Sequence, residues 1–206
     1  MTSEGTARVG VAWPARQARR VRDPAFLLVL THGSGGEPES ADLLAVRDAV
    51  LALGAAVALV TQPYRVKGRR APGPPARQDA AWIEIIDALR LTAGLHVPLV
   101  QGGRSNGARV ACRTAAAAGA RAVLALAFPL HPPGRPEKSR AGELALAGTD
   151  VLVINGSRDP FGIPDPAART RVVVLDGETH TLSGKPGTVG ATAAVWLAEL
   201  PGLART

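Results

Sequence analysis

Three side chains in this sequence have the types and the order needed for acyl transfer through a serine. Ser105 is centred in Gly103-Arg104-Ser105-Asn106-Gly107, a G-x-S-x-G pentapeptide. It follows an apolar run, Pro98 to Gly102, and opens a small-residue stretch, Ser105 to Ala118, that stops at Gly119. A nucleophilic serine has to stand on a sharp, strained turn between strand and helix. Glycines two residues to either side let those elements pass without a Cβ clash. The helix beginning there offers amides to developing negative charge. The plainer alternative is a Ser N-cap in a Gly-rich turn.

Serine alone is a weak nucleophile and needs a base held by an acid. On a parallel sheet the acid and then the histidine come from successive later strand ends. Val151 to Asn155 leads into Gly156-Ser157-Arg158-Asp159-Pro160, and Arg171 to Asp176 leads into Gly177-Glu178-Thr179-His180. Order and placement together point to Ser105, Asp159 and His180, with Asp165 and Asp176 as substitute acids. The remaining requirement is a pair of amides for the oxyanion: that of Asn106, and one from the loop His32-Gly33-Ser34-Gly35-Gly36, where Ser34 is the expected donor. Glycine there lets the backbone approach a carbonyl oxygen. Neither G-x-G-x-x-G nor G-x-x-x-x-G-K-[ST] occurs, which argues against a nucleotide.

His32 and Gly33 are expected to brace the oxyanion loop. His131 follows a strand at the active edge and is expected to order a Pro-rich loop or line the pocket. His96 precedes a strand, at the wrong end of the sheet. Cys112, among alanines, reads as core packing. No His, Cys and carboxylate set has metal spacing, so neither metal nor cofactor is expected.

The elements that must carry these residues alternate between β-type apolar runs and helical stretches. Phe26 to Leu30 and Ala55 to Thr61 read as buried strands flanking a helix, Ala41 to Leu53, with Gly54 at its C-terminus. Tyr64 to Pro75 reads as a basic loop rich in Gly and Pro. Ala76 to Thr92 reads as a helix with Trp82, Ile85, Ile86 and Leu89 on one face. Strands at Pro98, Ala122 to Phe128, Val151 and Arg171 follow, and Val189 to Leu200 reads as a closing helix. Such alternation specifies a parallel sheet covered by helices on both faces, with ligands at the carboxyl ends of its strands.

The chain has 206 residues with 24 Lys+Arg against 17 Asp+Glu, a formal charge of +7. That length suits one domain, 1–206, whose basic first 22 residues could add an edge strand. Of the cations 21 are Arg and three are Lys, beside 38 Ala, a joint bias that resembles GC-rich coding. Nucleic-acid binding would need cations clustered with stacking aromatics. There are seven aromatics, and none lies within the densest cationic stretches, Arg16 to Arg22 and Arg65 to Arg70, the second of which has only Tyr64 nearby. No nucleic-acid partner is expected. No apolar run reaches the ~18 residues needed to cross a bilayer, and arginines interrupt the N-terminus where a signal core would lie. The expectation is a soluble cytoplasmic protein acting on a small-molecule acyl substrate.

Several segments resemble small α/β-hydrolases of the group similar to dienelactone hydrolases, which also contains testis-expressed protein 30 and the third subunit of the non-specific lethal histone acetyltransferase complex. They are His32 to Gly36, Gly102 to Arg109, Phe128 to Glu137 and Asn155 to Gly162. The Pro-rich segment around His131 is the most specific of them. The chain departs from relatives at Asn106 and Ala108, where Met and Gly are common. The resemblance implies an α/β-hydrolase fold with little or no cap domain, acting as a serine esterase with a catalytic triad. Because the group includes members that serve in complexes, it also implies an alternative: a catalytically idle fold acting as a protein-binding subunit.

Overall fold

The structure, a computed structural model, describes residues 1–15, 23–93 and 96–203. In chain order its elements are β1 (Arg8–Ala12), β2 (Leu27–Thr31), α1 (Ala41–Leu51), β3 (Ala56–Thr61), α2 (Pro63–Val66), α3 (Pro75–Ala93) and β4 (Leu99–Arg104). They continue with α4 (Asn106–Ala118), β5 (Ala122–Leu126), α5 (Ala141–Ala145), β6 (Asp150–Gly156), β7 (Thr170–Leu175) and α6 (Pro186–Glu199). The strands form one sheet in the order β1-β3-β2-β4-β5-β6-β7. All neighbours are parallel except β1, which pairs antiparallel with β3, Arg8 opposite Thr61. This is the α/β-hydrolase fold. Among the described residues no helix is long and apolar enough to cross a membrane.

The central strands are buried on both faces because helices cover both. Leu28, Leu30, Val57, Leu124 and Leu152 face α1 and α6, meeting Leu43, Val46, Ala193 and Trp196. On the other side Val29, Ala58 and Leu99 pack against Trp82 and Ile86 of α3 and Val110 of α4, and Val123 and Val153 meet Ala111 and Ala115. The sheet's margins differ: β1 lies at one edge, and β1 and β7 show mostly exposed and half-buried positions, Leu175 being the buried exception, as edge strands do when one side lacks a neighbour.

Two short helices depart from the sequence reading. Tyr64 to Val66 is helical rather than loop: Pro63 occupies the first helical position, where its missing N–H costs nothing, and Val66 N–H bonds to Gln62 O at 3.1 Å. α5 lies in a segment for which the sequence predicts no element. The basic stretch Arg16 to Arg22 lies outside the described residues.

The chain runs from β2 outward to β3, then crosses back to β4 on the other side of β2. That reversal separates the two adjacent strands' outgoing loops, leaving a crevice at their carboxyl ends. The loop after β2 is His32 to Gly36, and the turn after β4 holds Ser105.

Candidate active site

Ser105 joins β4 to α4 with φ 53° and ψ −111°, a conformation that side chains rarely adopt. Packing imposes it. A Cβ on Gly107 would lie 2.7 Å from Thr31 O and 2.8 Å from His32 O, so α4 can start this close to β2 only without a side chain there. Ser105 N–H donates to Leu126 O at 2.9 Å, fixing the turn to the end of β5. Beneath it, buried Gln101 holds β4 to both neighbouring helices. Its Oε1 accepts from Trp82 Nε1 at 2.9 Å, and its Nε2 donates to Ala111 O at 2.7 Å and Thr114 Oγ1 at 3.1 Å. A buried polar group so fully satisfied specifies position rather than adding bulk.

The structure brings all three expected side chains together. His180 Nε2 lies 2.9 Å from Ser105 Oγ, and His180 Nδ1 lies 2.8 Å from Asp159 Oδ2. The Asp159 side chain is fully buried while that of His180 is 19% exposed, so the carboxylate is shielded and the imidazole reaches the cleft. Asp159 Oδ1 accepts the Phe161 N–H at 2.9 Å, which turns the carboxylate and also places the Phe161 ring. That ring lies 4.2 Å from the imidazole, centroid to centroid, tilted by 32°. The loops that carry Asp159 and His180 are bonded to each other through Arg158 N–H to Glu178 O, 2.9 Å. Glu178, itself buried, accepts the Gly184 N–H at 3.1 Å and closes the histidine loop. The substitute acids lie elsewhere: Asp176 accepts from Ser157 Oγ at 3.3 Å, and Asp165 is exposed.

The glycine loop lies against Ser105. A Cβ on Gly33 would be 3.3 Å from Ser105 Cβ and 3.9 Å from its Oγ. Neither the Ser34 nor the Asn106 amide has an acceptor among the described residues. His32 holds this loop from behind. Its Nε2 accepts the Gln62 N–H at 3.1 Å, which leaves the proton on Nδ1 to donate to Gly33 O at 2.8 Å. Burial lowers the His32 pKa below its ordinary value, outweighing the opposing pull of the Gly33 carbonyl. Tyr64 of α2 donates to Ser34 O at 3.0 Å, and Arg65 donates to Gly36 O at 3.2 Å. Burial raises the Tyr64 pKa, so its hydroxyl stays a donor.

The Asn106 side chain donates to Gln78 Oε1 at 2.8 Å, and Gln78 in turn donates to Gly73 O at 2.6 Å. Its amide group therefore anchors the start of α3 to the turn. His131 is placed by the Pro-rich loop: its N–H donates to Phe161 O at 2.9 Å, its Nδ1 lies 2.9 Å from Pro132 O, and its ring fills the space above Gly162. It is absent from the cleft lining. His96 is exposed ahead of β4. Cys112 is buried in α4, where burial pushes its thiol up to about 12.

The cleft has a volume of ≈ 310 Å³, small for a ligand site, and its lining includes Ser34, Ser105, Asn106, Phe161 and His180. Its charged members are Arg104, Arg109 and Arg140. Arg109 grips Glu143 through two hydrogen bonds of 2.7 and 2.6 Å, and Arg113 links Glu143 to Asp79. Burial pushes Glu143 up, but the Arg109 and Arg113 bonds and charges outweigh it and hold its carboxyl low. Arg140 donates to Pro129 O at 3.1 Å. No group of three or more potential metal ligands occurs among the described residues.

The sequence reading did not single out Arg104, Phe161 or Asn155. Asn155, buried at the end of β6, accepts the Phe128 N–H at 2.8 Å and donates to Phe128 O at 3.0 Å. Its only signal was a polar residue ending an apolar run.

Residues 24–184 match the model of a protein family described as an alpha/beta hydrolase domain. No curated protein matches the chain. Among solved structures, the chain is similar to an alpha-beta serine hydrolase homologue from Coxiella burnetii, with TM-score 0.76 and 14% identity over 96% of this chain and 95% of that one. It is also similar to a lidless α/β serine hydrolase from Xanthomonas campestris (TM-score 0.69, 20% identity, 97% and 94% covered). A dienelactone hydrolase from Anabaena variabilis gives TM-score 0.69 and 18% identity, with 95% and 91% covered. At these identities the likeness is one of fold.

Proposed function

The chain belongs to the alpha/beta hydrolase domain family, and from that premise we propose that it is a serine hydrolase that cleaves an ester, thioester or related acyl bond through an acyl-enzyme. The observation that carries this reading is the continuous hydrogen-bonded line from Ser105 Oγ through His180 to buried Asp159, on a strained turn beside the glycine loop. His180 Nε2 takes the Ser105 proton as Oγ attacks the carbonyl carbon. Asp159 holds the Nδ1–H, so that the free nitrogen faces serine, and stabilises the imidazolium that forms. The Ser34 and Asn106 amides hold the oxyanion. Collapse of the tetrahedral intermediate expels the leaving group, which takes its proton from His180. Water, deprotonated by the same nitrogen, then attacks the acyl-enzyme and regenerates Ser105. The cleft's volume supports a small-molecule substrate.

The test is labelling with a fluorophosphonate probe, which reacts with an activated serine whatever the natural substrate. Wild type takes the label and Ser105→Ala does not. A folded wild-type protein that takes none would leave the idle, protein-binding reading in place.

A further inference from the structure

Arg104 makes two contacts outside the Ser105 turn. Its Nη2 donates to the backbone carbonyl of His180 at 3.0 Å, across 76 residues of sequence. Its Nε lies 3.3 Å from Asp42 Oδ2. Asp42 sits in the first turn of α1 and is 1% exposed. Neither of its carboxylate oxygens accepts a well-aligned hydrogen bond from the described residues, and the same holds for donation by Arg104 Nε. A buried carboxylate is expensive unless a cation faces it. Arg104 is the only cation within ion-pair distance of Asp42 among the described residues.

We infer that Arg104 is a positioning residue for the base, held in place by Asp42, and that this pair sets where His180 stands relative to Ser105. The inference rests on the proposed hydrolase reading. The loop's other backbone bonds hold Gly177, Glu178, Thr179, Leu182 and Gly184, to either side of His180. At His180 Asp159 holds the ring, and Arg104 holds the backbone carbonyl. A guanidinium suits the task because its fork is planar and its donors diverge, so one charge can face Asp42 while another N–H meets a carbonyl. Since Arg104 adjoins Ser105 in the chain, the link measures the base's position from the turn that carries the nucleophile. Asp42 is not part of the cleft lining, so it acts through Arg104.

The experiment compares rate constants for fluorophosphonate labelling, together with kcat and KM for a neutral chromogenic ester. Arg104→Met alone strands the Asp42 charge and can prevent folding, so the deciding protein is Arg104→Met with Asp42→Asn. Replacing both members of a buried pair is commonly tolerated. In that protein, labelling and kcat should fall by about tenfold to a hundredfold, the scale of a small misplacement of reacting groups, with KM little changed. Arg104→Lys keeps a cation for Asp42 and should recover part of the rate. A wild-type labelling rate in the double variant overturns the inference, as does a loss confined to KM, which would make Arg104 a substrate contact. Failure of the hydrolase reading looks different, because wild type itself then takes no label.

Discussion

Gly103 stands so close to Thr31 that a Cβ on the glycine would lie 2.6 Å from the threonine's carbonyl oxygen, and 2.8 Å from the carbonyl carbon of Gly107. Both neighbours are backbone, so neither can swing aside. Gly103→Ala should therefore push the turn off its place, costing about 1–3 kcal/mol of stability and most of the Ser105 reactivity. Gly187→Ala, which meets nothing within 4 Å, should cost nothing measurable. Melting temperature and probe labelling, read on the same samples, check both. Wild-type behaviour in Gly103→Ala would show that the close approach is not what fixes the turn.

Asp159→Asn should lower kcat on the order of 10⁴-fold, because an amide no longer favours the histidine tautomer that leaves Nε2 free for the serine proton. Steady-state kinetics on any accepted ester measures this. A near-normal rate would move the acid's role to Asp165 or Asp176, despite their positions.

His180 and His131 should respond differently to the same substitution. His180→Gln should abolish labelling and turnover. His131→Gln removes a ring that packs over Gly162 and a bond to its own loop, so its loss should appear in melting temperature first. If His131→Gln silences the serine while His180→Gln does not, the base has been misassigned.

Acid should destabilise the protein through His32. Its pKa is lowered on folding by burial, so below the ordinary value of about 6.5 the unfolded chain binds a proton that the folded chain resists. The neutral ring's stabilisation is complete above that value and is lost as pH falls towards the folded pKa, at about 1.4 kcal/mol per unit of separation. Protonation also removes the acceptor that Nε2 offers to the Gln62 N–H. Melting temperatures of wild type and His32→Gln, followed from pH 7.5 to 5, should converge as acid is added. Parallel curves would remove His32 from the account.

The nucleophile turn was legible because its signals are local: the two glycines, the apolar run before them and the small-residue helix after them lie within about twenty residues. Asp159 and His180 were legible for a different reason, since a parallel sheet sends its functional residues out at strand ends and both follow apolar runs. What stayed hidden depends on sheet order. Nothing near Arg104 announces Asp42, and nothing near Asn155 announces Phe128; each pair meets because β4 lies beside β2, or β6 beside β5. Phe161 on the His180 ring is hidden for the same reason. The short helix at Pro63 was masked by the arginines and glycines after it, although Pro63 itself is a start signal. The bond of the Asn106 side chain to Gln78 was invisible because α3 approaches from another part of the chain.

The separation of Ser105 from His180 by 75 residues has a consequence for the order in which reactivity arises. Ser105, its turn and the glycine loop come from β2, β4, β5 and α4, since Leu126 of β5 accepts the Ser105 N–H. Asp159 and His180 follow β6 and β7, which pair with β5 and with one another. On the proposed reading, a chain in which β6 and β7 are not yet seated carries Ser105 as an ordinary alcohol, without the base that would make it a nucleophile. Labelling of Ser105 then requires both strands in place, so the probe that tests the chemistry also counts the molecules in which β6 and β7 are seated.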